Sequence, residues 1–74
     1  MKMISKAQLE ELRKVYKPGT RVELLRMDDP YSKLKNGDLG TVSMVDDAGG
    51  IHINWDCGST LAVIYGEDKC RRIN

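Results

Sequence analysis

From Thr41 to Trp55 apolar and polar positions alternate on either side of a turn-rich run, with Val42 and Met44 set against Thr41 and Ser43, and Ile51, Ile53 and Trp55 against His52 and Asn54. A period of two marks a half-buried strand, because successive side chains leave the backbone on opposite faces. Asp46-Asp47-Ala48-Gly49-Gly50 between the two segments predicts a hairpin loop. The expected product is an antiparallel pair with Ile51, Ile53 and Trp55 pointing inward together.

A different period governs the N-terminal segment. Ser5 followed three residues later by Gln8 forms a capping box, and Ile4 is placed to pack on Leu9 as a hydrophobic staple. Leu9, Leu12, Val15 and Tyr16 recur at three- and four-residue spacing opposite Glu10, Glu11, Arg13 and Lys14, so an amphipathic helix is predicted over about residues 5–16. Lys17-Pro18-Gly19 ends it, since proline disfavours helical angles in the residue before it.

Within Thr20 to Met27, Val22 and Leu24 alternate with Arg21 and Glu23 until Leu25 breaks the pattern; a bulge, or burial on both faces, reconciles it. Asp28 to Asp38 has no period and holds Pro30, Tyr31 and Asn36-Gly37, which predicts a long loop in water closing in a tight turn. Asp56-Cys57-Gly58-Ser59 turns the chain, Thr60 to Tyr65 reads as a further strand, Gly66-Glu67-Asp68 as one helical turn and Cys70 to Ile73 as a short last strand. Strand, long loop, three-stranded meander, single turn and short strand describe a mainly β fold, a small SH3-like five-stranded barrel with an N-terminal amphipathic helix docked on it. At 74 residues the chain fits one domain, its barrel over about residues 20–73. Gly40 just before a strand suits a bulge or a close backbone approach at a barrel corner.

Composition narrows the function classes. Hydrophobic residues at 41% and charged residues at 31% are a globular balance, and no apolar run approaches the roughly 20 residues that span a bilayer. MKMISKAQLE lacks the apolar region of a secretory signal, so a soluble, cytoplasmic protein with no membrane contact is expected. Twelve basic residues against eleven acidic leave a net charge of +1, short of the basic excess that nonspecific nucleic-acid binders carry. Cys57 and Cys70 stand apart rather than in the close pairs that hold zinc; no metal or other cofactor is expected, and free thiols are favoured over a disulfide. His52, the only histidine, takes an outward, solvated strand position with no nucleophile or second acid beside it. That argues against an enzyme, and no catalytic residue is assigned.

Met27-Asp28-Asp29-Pro30-Tyr31, then Gly40-Thr41-Val42, Val45-Asp46-Asp47-Ala48-Gly49, Ile51-His52, Trp55-Asp56, Gly58 and Gly66-Glu67-Asp68, taken in that order, resemble family 4314 among the bacterial domains of unknown function. The resemblance covers roughly Tyr16 to Ile73. It implies a short SH3-like protein of bacteria and their phages or mobile elements, and it brings no activity. Gly37-Asp38-Leu39-Gly40-Thr41-Val42 is also similar to a glycine-bearing segment of RNA-binding ribosomal and transcription-factor barrels, although the structural reason given for Gly40 suffices.

Small barrels bind partners through aromatic residues beside acidic loops. Asp28, Asp29, Tyr31, Trp55 and Tyr65 form such a set here, and the expected function is a noncatalytic module that binds a protein partner. Tyr31 leads it, because no strand pattern demands its burial, whereas core packing outweighs ligand contact for Trp55, which shares a face with Ile51 and Ile53. Asp28 or Asp29 can also simply hold a turn with Pro30 at its second position. The competing reading is a nucleic-acid-binding barrel that sets Lys33, Lys35, Lys69, Arg71 and Arg72 on phosphates and stacks an exposed aromatic on a base. A weak homodimer comes third, since so small a core only just offsets the ordering entropy of the chain.

Overall fold

The computed structural model describes residues 3–29 and 31–73. Capping decides where the helix starts: Ser5 Oγ accepts the Gln8 N–H at 3.1 Å, and Gln8 Oε1 accepts the Ser5 N–H at 3.0 Å. Helix α1 runs Lys6–Val15 and closes at Tyr16, whose N–H donates to Leu12 O at 2.9 Å. None of its residues is fully buried; Leu9 and Leu12, with Tyr16, lean on the core from its rim. Arg13 ties the helix to the sheet, donating to Asp47 Oδ1 at 2.7 Å and to Val45 O at 3.3 Å.

Among the described residues four antiparallel strands follow: β1 Arg21–Arg26, β2 Leu39–Val45, β3 Ile51–Trp55 and β4 Lys69–Arg72, in the spatial order β3-β2-β1-β4. The mainly β class with one short helix matches expectation, but the sheet has β3 and β4 as its edges and does not close into a barrel. The expected fifth strand at Thr60 to Tyr65 reduces to one bridge, Ile51 with Val63, made by two backbone bonds of 2.9 Å. Pairing stops there because the Leu61 backbone is engaged elsewhere. Leu61 would carry the next rung, yet its carbonyl accepts the Trp55 indole N–H at 2.9 Å and its N–H donates to Ser59 Oγ at 3.3 Å. The expected helical turn at Gly66-Glu67-Asp68 is a hydrogen-bonded turn, in which the Glu67 and Asp68 N–H groups donate to Ile64 O at 3.1 and 2.9 Å.

Val22 and Leu24 of β1, Val42 and Val45 of β2, and Ile51, Ile53 and Trp55 of β3 form the core with Leu34 and Val63. Ile51, Ile53 and Trp55 are 4, 1 and 3% exposed, the inward triplet that the alternation requires. Burying such side chains contributes roughly 1.5–3 kcal/mol each, and the sheet exists to do it. The register shifts between Leu24 and Arg26 against β4 and leaves Leu25 partly exposed, so of the two expected explanations for this residue the bulge applies. A second shift, between Val42 and Met44, overturns the expected facing of β2: Met44 is half exposed and Val45 takes the buried place opposite Ile51. One inserted residue sends every later side chain to the other face.

Gly40 sits where the sheet is tightest. A Cβ there would stand 2.5 Å from Ile53 Cγ2 and 2.8 Å from Trp55 Cε3, so close approach accounts for the glycine. The long connection between β1 and β2 departs from expectation in one respect, because Leu34 turns back and is buried in the core. No helix among the described residues is long and apolar enough to cross a membrane.

Candidate functional site

The connection after β1 is held by its own short polar side chains. The Asp28 N–H donates to Asp68 Oδ1 at 2.9 Å, Asp29 Oδ1 accepts the Tyr31 N–H at 2.9 Å, and Asp29 O accepts the Ser32 N–H at 3.1 Å. Ser32 Oγ then accepts the Leu34 N–H at 3.1 Å, just before Leu34 enters the core. Aspartate and serine satisfy nearby backbone in this way because their acceptors sit one or two bonds from the main chain. The outcome is a braced loop that holds Tyr31 in water, 92% exposed. Pro30, expected at the second position of this turn, lies outside the described residues.

A second wall faces it. Beyond β3 the chain turns through Cys57 and Gly58, where Gly58 has φ 97°, a left-handed backbone that glycine adopts without strain. The Trp55 indole then fixes Leu61, and Leu61 and Ile64 remain 38 and 44% exposed. Two concavities lie between the walls, and both are lined by Leu61. One, about 350 Å³, is bordered by Met27, Asp28 and Asp29 on one side and by Ile64 and Glu67 on the other. The other, about 560 Å³, lies between Tyr31 with Lys33 and the turn of Cys57, Gly58 and Ser59. Asp68 joins the walls, since its second oxygen accepts the Ile64 N–H at 2.9 Å.

Three of the five residues expected to contact a protein partner therefore come together: Asp28, Asp29 and Tyr31 border this groove. Trp55 does not join them. Its ring is buried and its only polar atom is bonded inside, so Trp55 leaves the contact set and acts instead as the support of Leu61. Tyr65 lines a separate cleft of about 410 Å³ between α1 and the segment leading to β4, with Leu12, Tyr16 and Cys70. Neither Asp28, Asp29 nor Tyr31 lines that cleft.

Of the competing basic set, Lys69, Arg71 and Arg72 share β4, and Lys33 and Lys35 lie on the connection between β1 and β2. Lys33 borders the groove, Lys69 lines the helix cleft, and Arg71 Nε donates to Glu23 Oε1 at 2.5 Å. Arg72 pairs in register with Val22, and the Lys35 backbone N–H is held by Asp38 Oδ2 at 2.9 Å.

His52 differs from the expected solvated residue. Its Nε2 lies 2.8 Å from Asp46 Oδ2, while Asp46 Oδ1 accepts the Ala48 and Gly50 N–H groups at 3.0 and 2.7 Å. The bond from His52, and then those from Gly50 and Ala48, hold the Asp46 carboxyl below its usual range. The pair closes a hairpin. Arg21 grips Asp56 with two bonds of 2.8 and 2.6 Å and lowers that carboxyl likewise. Cys57 and Cys70 are free thiols. Burial pushes the Cys70 thiol up to about 11, which makes it a poor nucleophile. Among the described residues no three His, Cys, Asp or Glu side chains converge in a manner that could hold a metal ion.

Two residues of the groove escape a reading of periodicity. Leu61 belongs to a segment that scans as strand, and only the Trp55 indole diverts it. Asp68 scans as the last residue of a surface turn, yet it is 9% exposed. Its one sequence signal is the placement of an acceptor side chain directly after a glycine turn and before a strand.

Residues 5–73 match the profile of the family described as Domain of unknown function (DUF4314). No curated protein and no solved structure matches the chain significantly.

Proposed function

The chain belongs to the family Domain of unknown function (DUF4314), and since that description carries no activity, we propose from its surface that it is a noncatalytic interaction module that binds a protein partner. The contact surface is the groove between the loop of Asp28 to Lys33 and the segment from Cys57 to Ile64. One observation carries the reading: Tyr31 stands 92% exposed on a loop braced by hydrogen bonds and lines the same hollow as partly exposed Leu61. A large aromatic standing in water gains much by being covered, which is why such residues are enriched at interfaces.

The architecture belongs to the same proposal. A first strand, a long connection, a meander ending in the Val63 bridge, a turn and a short last strand that returns to pair with β1 favour an SH3-like plan, opened because Leu61 is diverted. Two unpaired thiols suit a cytoplasmic setting.

Selection of a displayed peptide library on the immobilised protein tests the function. Selected peptides should lose at least about tenfold in affinity for the Tyr31→Ala protein, a change of about 1.4 kcal/mol, while its thermal midpoint stays within a few degrees of the parent. Peptides that bind both proteins equally would place the interface elsewhere, and an unfolded Tyr31→Ala protein would make Tyr31 a structural residue.

A further inference from the structure

The two ends of the groove carry opposite charge. Around Ile64 the border includes the carboxylates of Asp28, Asp29 and Glu67 and no cation. Arg26 is the base that approaches them, at 3.6 Å from Asp28 Oδ1 with both side chains largely exposed, a spacing too long for a hydrogen bond. Asp68 adds its charge beneath, with one bond on each oxygen. Beyond Leu61 the signs reverse. Lys33 is the one charged side chain lining the Tyr31 end, where the Asp29 carboxylate is occupied by the Tyr31 N–H, and Lys33 has no ion-pair partner among the described residues.

Resting on the interaction reading above, we propose that the groove takes an extended segment of another protein whose charges are ordered: a Lys or Arg at the Ile64 end, apolar side chains over Leu61, and an Asp or Glu at the Tyr31 end. An extended backbone fits because its side chains, alternating along the strand, can enter two concavities that share Leu61 in their linings. The apolar floor of Leu61 and Ile64, with Tyr31 at one side, supplies the burial. The charges set the order and orientation of the occupant, as complementary potentials at interfaces do.

Four labelled peptides with one shared apolar centre distinguish this inference from the reading it rests on. They are flanked by Lys and Glu, by Lys at both ends, by Glu at both ends, and by Gln at both ends; fluorescence anisotropy reads their binding to the full chain. The Lys and Glu peptide should bind about fivefold tighter than the Gln peptide at low salt, with the gap closing as salt rises. Lys33→Glu should move the preference to the peptide with Lys at both ends, and Asp28→Asn combined with Glu67→Gln should abolish the advantage of Lys. These side chains are exposed, and circular dichroism melts establish that each variant folds. Equal, Tyr31-dependent binding of all four peptides would overturn the charge order and leave the groove in place. Absence of binding by all four, or binding unaffected by Tyr31→Ala, would overturn both.

Discussion

Asp68 offers the sharpest test of how the groove is built. Its carboxylate is 9% exposed and accepts from one backbone N–H of each wall, Asp28 and Ile64, both at 2.9 Å. Asp68→Ala removes both acceptors and leaves the donors where they were. A hydrogen bond to a charged group contributes roughly 1.5–3 kcal/mol, and a stranded buried donor costs roughly 1–3 kcal/mol. Two such bonds sum to roughly 3–6 kcal/mol, and since both donors lie near the groove, where water can replace part of the loss, the net effect is about 3 kcal/mol, at the bottom of that range. In a domain of this size that corresponds to a fall in thermal midpoint of roughly 12–24 °C. Asp68→Asn keeps one acceptor oxygen and should lose roughly half as much.

Urea denaturation near neutral pH gives the stability, and amide hydrogen exchange gives the location. Exchange at Asp28 and Ile64 should accelerate before that of the β1 and β2 core amides, since only the wall contacts are cut. An Ala variant within about 0.5 kcal/mol of the parent would refute the clamp. So would equal losses for Ala and Asn with unchanged exchange at both amides.

Three further outcomes follow from the same geometry. Gly40→Ala drives a methyl into Ile53 and Trp55 and should destabilise the protein by roughly 1–3 kcal/mol in urea denaturation, as overpacked cores do. With a disulfide reagent near pH 8, exposed Cys57 should react in a fast phase that Cys57→Ser removes; the Cys70 thiol, raised from 9.0 to about 11 by burial, should follow with a thiolate population about 100-fold below that of an ordinary thiol. Because the folded Asp46 carboxyl lies below its ordinary value of 3.8, chiefly through the bond to His52, its contribution is complete above that value and disappears as pH falls through the lower, folded one. The thermal midpoint should therefore decline as pH drops below about 4, and more gently in Asp46→Asn. A parallel decline in both proteins would remove Asp46 from the account.

Local rules made much of the fold legible. The capping box at Ser5 and Gln8 forms, and the alternation of Ile51, Ile53 and Trp55 faces the core, because each depends on neighbours three or two residues away. Leu25 announced its bulge by breaking a pattern. Met44 gave no such warning: Val42, Met44 and Val45 are all apolar, so the shifted register is as consistent with the letters as the regular one, and only pairing with β3 decides it. Thr60 to Tyr65 failed as a strand for a nonlocal reason, since periodicity registers side-chain polarity and not which acceptor captures the Trp55 indole. The site divides in the same way. Tyr31 was readable as exposed because nothing around it repeats, whereas the burial of Asp68 is created by backbone donors far away in the chain.

The diversion of Leu61 connects the open sheet to the proposed function. Had residues 60–65 paired fully along β3, the Leu61 backbone would have belonged to the ladder and the segment would have lain flat on the sheet edge. Trp55 instead anchors the Leu61 carbonyl from inside the core, and Val63 alone keeps the segment registered. Leu61 and Ile64 are thereby left partly exposed on either side of a buried Val63. Asp68 then links that wall to the loop carrying Tyr31. The same bonds that forgo a fifth strand thus hold open a groove with two fixed walls, so ordering the walls costs a ligand little at the moment of binding.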